Sequence, residues 1–151
     1  MTSRTERYSK RFGDVAADPG DGRTTRLRKS LLLGGVLVLI PVVLPWGLLY
    51  LYLGYSLAAL MPLLYFVFSC FSVLYFLKTR NRDFLRISQY VFVLLLPFAL
   101  TIILGGFHNS SAVIIWCVVS PIASLVIDGW ENARSWFAVY IVLLILAAGL
   151  E

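Results

Sequence analysis

Charge is missing from most of this chain, and that scarcity decides its class. Residues 31–77 contain no Asp, Glu, Lys or Arg, although the whole chain has 13 basic and 8 acidic residues. Hydrophobic residues make up 60% of the sequence, more than the roughly 50% of an average soluble domain. Because about 20 apolar residues cross a bilayer, the uncharged run is long enough to cross it twice. The composition therefore excludes an ordinary soluble domain and predicts an integral membrane protein.

Residues with catalytic or metal-binding chemistry are also scarce. The chain has one histidine, His108, and two cysteines, Cys70 and Cys117. A lone histidine with no Cys, Asp or Glu in its own loop cannot supply the three or four ligands of a metal site. The two cysteines fall within apolar runs, where a thiol behaves as a small hydrophobic group. No phosphate-binding glycine loop or nucleophile–base pair is recognisable. We therefore expect no catalytic residue, metal, cofactor or nucleic-acid partner.

Five apolar runs predict an all-α, multi-pass transmembrane helical bundle. The predicted spans are 31–53, 57–77, 87–104, 113–127 and 136–150. The last two are short, because fifteen residues reach only about 23 Å along a helix and the hydrocarbon core is about 30 Å thick. Each of the first four spans holds proline, which predicts kinks, at Pro41, Pro45, Pro62, Pro97 and Pro121. Residues 1–30 mix both charge signs with Gly, Pro, Ser and Thr, which predicts a basic, mostly flexible tail.

Basic residues close to the span ends predict the orientation. The tail and the loop 78–86 contribute the side chains expected near anionic headgroups, namely Arg26, Arg28, Lys29, Lys78, Arg80 and Arg82. By the positive-inside rule both segments face the cytoplasm, in a cell membrane. The connection 128–134 faces the same side, and there Asp128 and Glu131 are predicted to form a helix-end ion network with Arg134. The loop 105–112 has no Lys or Arg and is predicted to face outward.

The outward loop and the start of the fourth span, GGFHNSSAVIIW, form the candidate sensing region. Its paired glycines permit a tight turn, and the indole of Trp116 suits the membrane interface. The candidate sensing or packing residues are Gly105, Gly106, Phe107, His108, Ser110, Ser111, Trp116, Pro97 and Pro121. A lipid-like or other small apolar ligand, or a second copy of the chain, could bias helix packing here. The alternative is a plain turn with an interface tryptophan.

Several short motifs, taken in order, carry a family resemblance. They are RFG and DPGDGRTTRLRKSLLL in the tail, then PWGLLYLYLG, LPF, LGGFHNSSAVIIW, SPIASL and ARSWFAVY. Together they resemble the N-terminal membrane domain of bacterial class III adenylate/guanylate cyclases, over nearly the whole chain from Phe12. In that family a sixth helix leads into a signalling helix and a cytoplasmic cyclase domain, so the resemblance implies a chain truncated before them.

The resemblance implies a membrane anchor and sensor domain for cAMP-type signal transduction, without catalytic activity of its own. It is also compatible with a homodimer or with partner helices in the membrane. Two other classes stay open, a small membrane accessory subunit and a transporter or channel fragment. Transport is disfavoured because the first four spans hold no Asp, Glu, Lys, Arg or His before Asp128, whereas ion pathways usually place such residues in the membrane.

Overall fold

The computed structural model describes residues 20–106, 109–110 and 113–149, and within them it contains helices and no strand. The helices are α1 Arg23–Tyr52, α2 Ser56–Thr79, α3 Arg82–Ile103, a 3₁₀ helix Val113–Val118, α4 Val119–Asp128 and α5 Trp130–Gly149. By length and composition α1, α2, α3 and α5 are each able to cross a membrane. The predicted class, an all-α bundle of membrane-spanning helices, is confirmed.

The helices extend beyond the apolar runs at the ends where charge is concentrated. α1 begins at Arg23 rather than at 31, inside the segment predicted as tail. The predicted loop 78–86 is replaced by the ends of α2 and α3, with only Arg80 and Asn81 between them, and Gly129 alone separates α4 from α5. Hydropathy marks where hydrocarbon ends, but charged residues can continue a helix, and local caps decide its start. At α3 the Asn81 Oδ1 accepts a hydrogen bond from the Phe84 amide at 3.2 Å.

The fourth span, called here the α4 limb (Val113–Asp128), is part 3₁₀ helix and part α-helix. Pro121 lies in the first turn of α4, where a missing amide proton is tolerated, and it removes the donor that would pair with the Cys117 carbonyl. The residues before it take the 3₁₀ winding, which rises about 2.0 Å per residue rather than 1.5 Å. The limb therefore spans about 27 Å, close to the hydrocarbon thickness that fifteen α-helical residues do not reach.

The bundle has two chemically different ends. The basic end holds the start of α1, the Arg80–Asn81 connection and Gly129, above a buried cluster of Leu32, Leu33, Val36, Val73, Phe76, Leu85, Tyr90 and Ile127. Every charged residue of the described part lies within about two turns of this end. The glycine end holds the 53–55 turn and the connection from α3 to the 3₁₀ helix. The turn predicted at the paired glycines is confirmed, because Gly105 and Gly106 have φ values of 90° and 101°, and Gly54 turns the chain in the same way with φ 82°.

Candidate functional site

An apolar groove of about 260 Å³ lies between α1, α2, α3 and the α4 limb, in the half of the bundle nearer the glycine end. It is lined by Leu39, Val42, Val43, Trp46, Met61, Pro62, Tyr65, Phe92, Val93, Leu96, Pro97, Leu100, Val113, Trp116 and Val119. Two of these lining residues, Trp46 of α1 and Trp116 of the α4 limb, are more than half exposed. No lining residue is ionisable except Tyr65, so the groove suits a hydrocarbon-like occupant.

A buried hydrogen-bonded cluster between α2 and α3 adjoins the groove. The Tyr65 hydroxyl donates to the Gln89 Oε1 at 2.8 Å, and the Gln89 Nε2 donates to the Ser69 Oγ at 3.3 Å. One turn further toward the basic end, the Ser88 hydroxyl donates to the Ser72 Oγ at 3.1 Å. Because unpaired polar groups are costly in a membrane, these bonds fix the packing of α2 on α3. Tyr65 is the point at which this cluster meets the groove.

A second cavity of about 140 Å³ continues from the groove toward the basic end, between α1, α3 and α4. The two cavities share Leu39, Val93 and Val119 as lining residues. The side chain of Gln89 also borders the second cavity. Val93 of α3 therefore lies where the two cavities join, and together they form a continuous space along α3.

At the basic end, the Asp128 carboxylate accepts hydrogen bonds from three side chains of α3. Its Oδ1 accepts from Arg86 Nη1 at 2.7 Å and from Arg82 Nη2 at 3.4 Å, and its Oδ2 accepts from the Tyr90 hydroxyl at 3.0 Å. The Asp128 side chain is only 3% exposed, whereas the two arginines are 21–22% exposed. Arg86 also pairs with the exposed Asp83 at 3.2 Å. This carboxylate ties the end of α4 to the start of α3.

The predicted partners of Asp128 are corrected by this geometry. The sequence suggested an ion network of Asp128 and Glu131 with Arg134, its neighbours along the chain. Glu131 and Arg134 instead lie exposed on α5, and Asp128 turns to the arginines of α3. Gly129, with φ 94°, turns the chain between the two helices, so α4 ends with its last side chain directed at α3.

The candidate sensing residues are only partly brought together. Pro97 and Trp116 line the groove, and Pro121 is buried in the first turn of α4. Gly105 and Gly106 form the turn, and Ser110 is buried with 2% exposure. Phe107, His108 and Ser111 lie outside the described residues.

The six predicted headgroup-binding residues all lie at the basic end, but in different environments. Arg26, Lys78 and Arg80 are exposed and Arg28 is half-buried. Lys29 is buried, and its Nζ lies 2.6 Å from the Asp21 Oδ2, so this ammonium has a carboxylate partner within the chain. Arg82 forms an ion pair with Asp128.

Most of the groove was not foreseen from the sequence, because it is assembled from four separate segments. The Tyr65–Gln89 contact did leave a signal. Tyr65, Ser69 and Ser72 recur at helical spacing on one face of the second span, and Gln89 is an amide within the third. A polar stripe of this kind on an otherwise apolar span indicates contact with another helix.

No three His, Cys, Asp or Glu side chains form a group that could hold a metal ion in the part of the chain that the structure describes. Cys117 is fully buried, and its thiol donates to the Leu94 carbonyl at 2.9 Å. Comparison of the chain with protein-family models, with curated proteins and with solved structures gives no match.

Proposed function

We propose that this chain is the membrane anchor and signal-receiving domain of a class III nucleotide cyclase, with the cyclisation carried out by a separate catalytic domain. The observation that carries the receiving role is the apolar groove beside Trp116. It borders the same GGFHNSSAVIIW stretch that resembles the cyclase membrane domains, and it is lined by Pro97 from the preceding helix. A small apolar ligand is the occupant that this lining suits best.

The groove is also placed where an occupant would affect helix packing. It lies where α1, α2, α3 and the α4 limb meet, so an occupant contacts four elements at once. Ligand binding changes a conformational equilibrium only when the ligand binds one state more tightly than the other. A loosely packed seam between helices supplies that difference, because closing or opening it changes the contacts available to the ligand.

A transport role has less support from the described residues. Ion and proton pathways generally place ionisable side chains inside the membrane. Here the charged residues of the described part cluster within about two turns of the basic end. The groove itself has no charged lining residue.

The proposed orientation places the basic end in the cytoplasm and the glycine end outside. Asn109 is exposed at the glycine end, whereas Asn132 is exposed near the start of α5. We expect Asn109→Cys in intact cells to react with a membrane-impermeant maleimide, and Asn132→Cys to react only after the cells are opened. The wild-type chain, whose Cys70 and Cys117 lie within helices, provides the background. Labelling of Asn132→Cys from outside would invert the orientation.

Filling the groove should change signalling in a fusion that carries a cyclase domain. Residues 1–151 are joined through an added apolar helix to a class III cyclase domain, and Val93, at the junction of the two cavities, is replaced by Phe. We expect cyclic nucleotide production to change by on the order of fivefold or more, the lower range of allosteric coupling. Leu95→Phe is the matched control, because Leu95 is on the same helix, is exposed and does not line either cavity.

Membrane insertion and expression of both variants are measured by the same thiol labelling and by immunoblot. If Val93→Phe and Leu95→Phe insert equally and have equal activity, the groove has no receiving role. If the fusion inserts but produces cyclic nucleotide at a rate that no groove substitution alters, the chain is an anchor alone.

A further inference from the structure

The α4 limb joins the groove to the Asp128 ion pairs. Val113, Trp116 and Val119 line the groove, and Asp128 is the last residue of α4. Between them, the Ser120 hydroxyl donates to the Tyr90 carbonyl at 2.9 Å. One end of the limb therefore touches the proposed ligand site, and the other end is held by arginines at the basic end.

The winding of the limb is unusual. Its 3₁₀ part runs over six residues and continues directly into α4, whereas 3₁₀ helices rarely exceed three or four residues; a 3₁₀ stretch within a helix often marks a hinge or a strained sequence. Rewinding these residues as α-helix would shorten the limb by about 3 Å, and it would turn Trp116 by about 60° relative to α4. Ser110, which is buried and whose carbonyl accepts from the Val113 amide at 3.3 Å, anchors the glycine end of the limb. With the glycine end of the limb held in place, the shortening moves both Ser120 and Asp128 toward that end by about 3 Å, and it breaks the Ser120–Tyr90 hydrogen bond.

The arginines that face Asp128 are arranged for such a movement. Arg82 and Arg86 are one helical turn apart on α3, and Tyr90 is one turn further toward the glycine end. Asp128 contacts all three, with the long 3.4 Å contact to Arg82 and the shorter contacts to Arg86 and Tyr90. A shift of about 3 Å toward the glycine end would break the Arg82 contact and leave Asp128 with Arg86 and Tyr90.

We infer that the α4 limb has two registers along α3, an extended one with 3₁₀ winding and an Arg82–Asp128 contact, and a contracted one with α winding in which that contact is broken. The role of a groove ligand in choosing between them rests on the proposed function. Pro121 keeps the extended register dominant, because it removes the amide that continuous α winding needs. An occupant of the groove contacts Trp116 differently in the two windings, and that difference shifts the equilibrium.

The experiment uses electron spin resonance to measure the distance between one spin label on α2 and another on α4, which shortens when the limb contracts. Spin labels are placed at Leu57, exposed near the glycine end of α2, and at Val126, exposed near the basic end of α4. The chain carries Cys70→Ser and Cys117→Ser and is reconstituted in phosphatidylcholine vesicles without ligand. Pro121→Ala should add or enlarge a population about 3 Å shorter than in the parent chain. Pro41→Ala, at an exposed position of α1, is the matched control and should leave the distance unchanged.

Substitutions of the two arginines give a second, independent test with the same pair of spin labels. Arg82→Gln removes a contact that exists only in the extended register, so it should also raise the population of the shorter distance. Arg86→Gln removes a contact present in both registers and leaves Asp128 with Arg82, so the distance should stay long. An unchanged distance in Pro121→Ala or in Arg82→Gln, once that variant is shown to be inserted, contradicts the two registers. Equal shortening in Arg82→Gln and Arg86→Gln contradicts them as well.

Neither a ligand nor a cyclase domain takes part in this measurement. A fixed distance would therefore overturn the two registers without deciding whether the groove receives a signal. Conversely, a groove substitution without effect in the cyclase fusion would overturn the receiving role while leaving the measured registers in place.

Discussion

Replacing Asp128 with asparagine should lower the free energy of unfolding by about 3 kcal/mol, the lower end of the cost of removing one partner from a buried ion pair. The side chain is 3% exposed and accepts hydrogen bonds from Arg82, Arg86 and Tyr90. Asp128 is the carboxylate that the two arginines share, while Arg86 also pairs with the exposed Asp83, and the Nε atoms of both arginines are buried without a hydrogen-bond partner. The lower end of the range applies because both guanidinium groups keep some contact with solvent.

The matched control for this substitution is Glu131→Gln. It removes the same charge from an exposed carboxylate three residues away, and exposed charges contribute little to stability. Both variants are unfolded by increasing the fraction of dodecyl sulfate in mixed micelles, with tryptophan fluorescence as the signal. Trp136, whose ring centroid is 5.4 Å from that of Tyr90, lies close enough to report on this end of the bundle. Coincident unfolding curves for the two variants would contradict the structural role of Asp128.

The features that the sequence predicts well are those decided by local composition. An uncharged run of this length has few alternatives to a pair of membrane helices. The turn at Gly105–Gly106 was also predictable, because a tight reversal between helices needs positive φ values that glycine adopts without strain. The number of apolar segments and their order follow from the same local rules.

The features that it predicts poorly depend on contacts between distant segments. Asp128 lies 42 and 46 residues from its two arginines, while Glu131 and Arg134 are close along the chain. Proximity in sequence therefore pointed to the wrong partners. The groove is a further example, because its lining is contributed by four elements and no single segment carries a pattern that reveals it.

The α4 limb lies between these two cases. The sequence shows both its proline and its small number of residues. Sixteen residues in α-helix are too short to cross a hydrocarbon layer about 30 Å thick. The 3₁₀ winding before Pro121 reduces this shortfall by adding length. The same winding brings Trp116 beside the groove, so the local constraint from proline and the tertiary position of the tryptophan are connected.

Replacing Gly47 with leucine should separate α1 from α2 and lower the free energy of unfolding by about 2 kcal/mol, within the usual cost of overpacking. Gly47 is buried, and a Cβ built on it would lie 3.0 Å from both the Cγ and the Cδ2 of Leu63 and 3.4 Å from the Cγ of Pro62. Small residues let membrane helices approach closely, and their packing contacts are a main source of helix association in lipid. A leucine side chain therefore has to push the two helices apart at this point.

Gly34→Leu is the control, because it makes the same substitution on the same helix where a Cβ would meet nothing within 4 Å. Gly47→Ala should fall between the two, since the end of the Leu63 side chain can rotate away from one added carbon. Unfolding in mixed micelles gives the ranking. If Gly47→Leu and Gly34→Leu are equally stable, close packing at Gly47 does not hold α1 against α2. The wall of the groove formed by Trp46 and Pro62 would then depend on contacts elsewhere along the two helices.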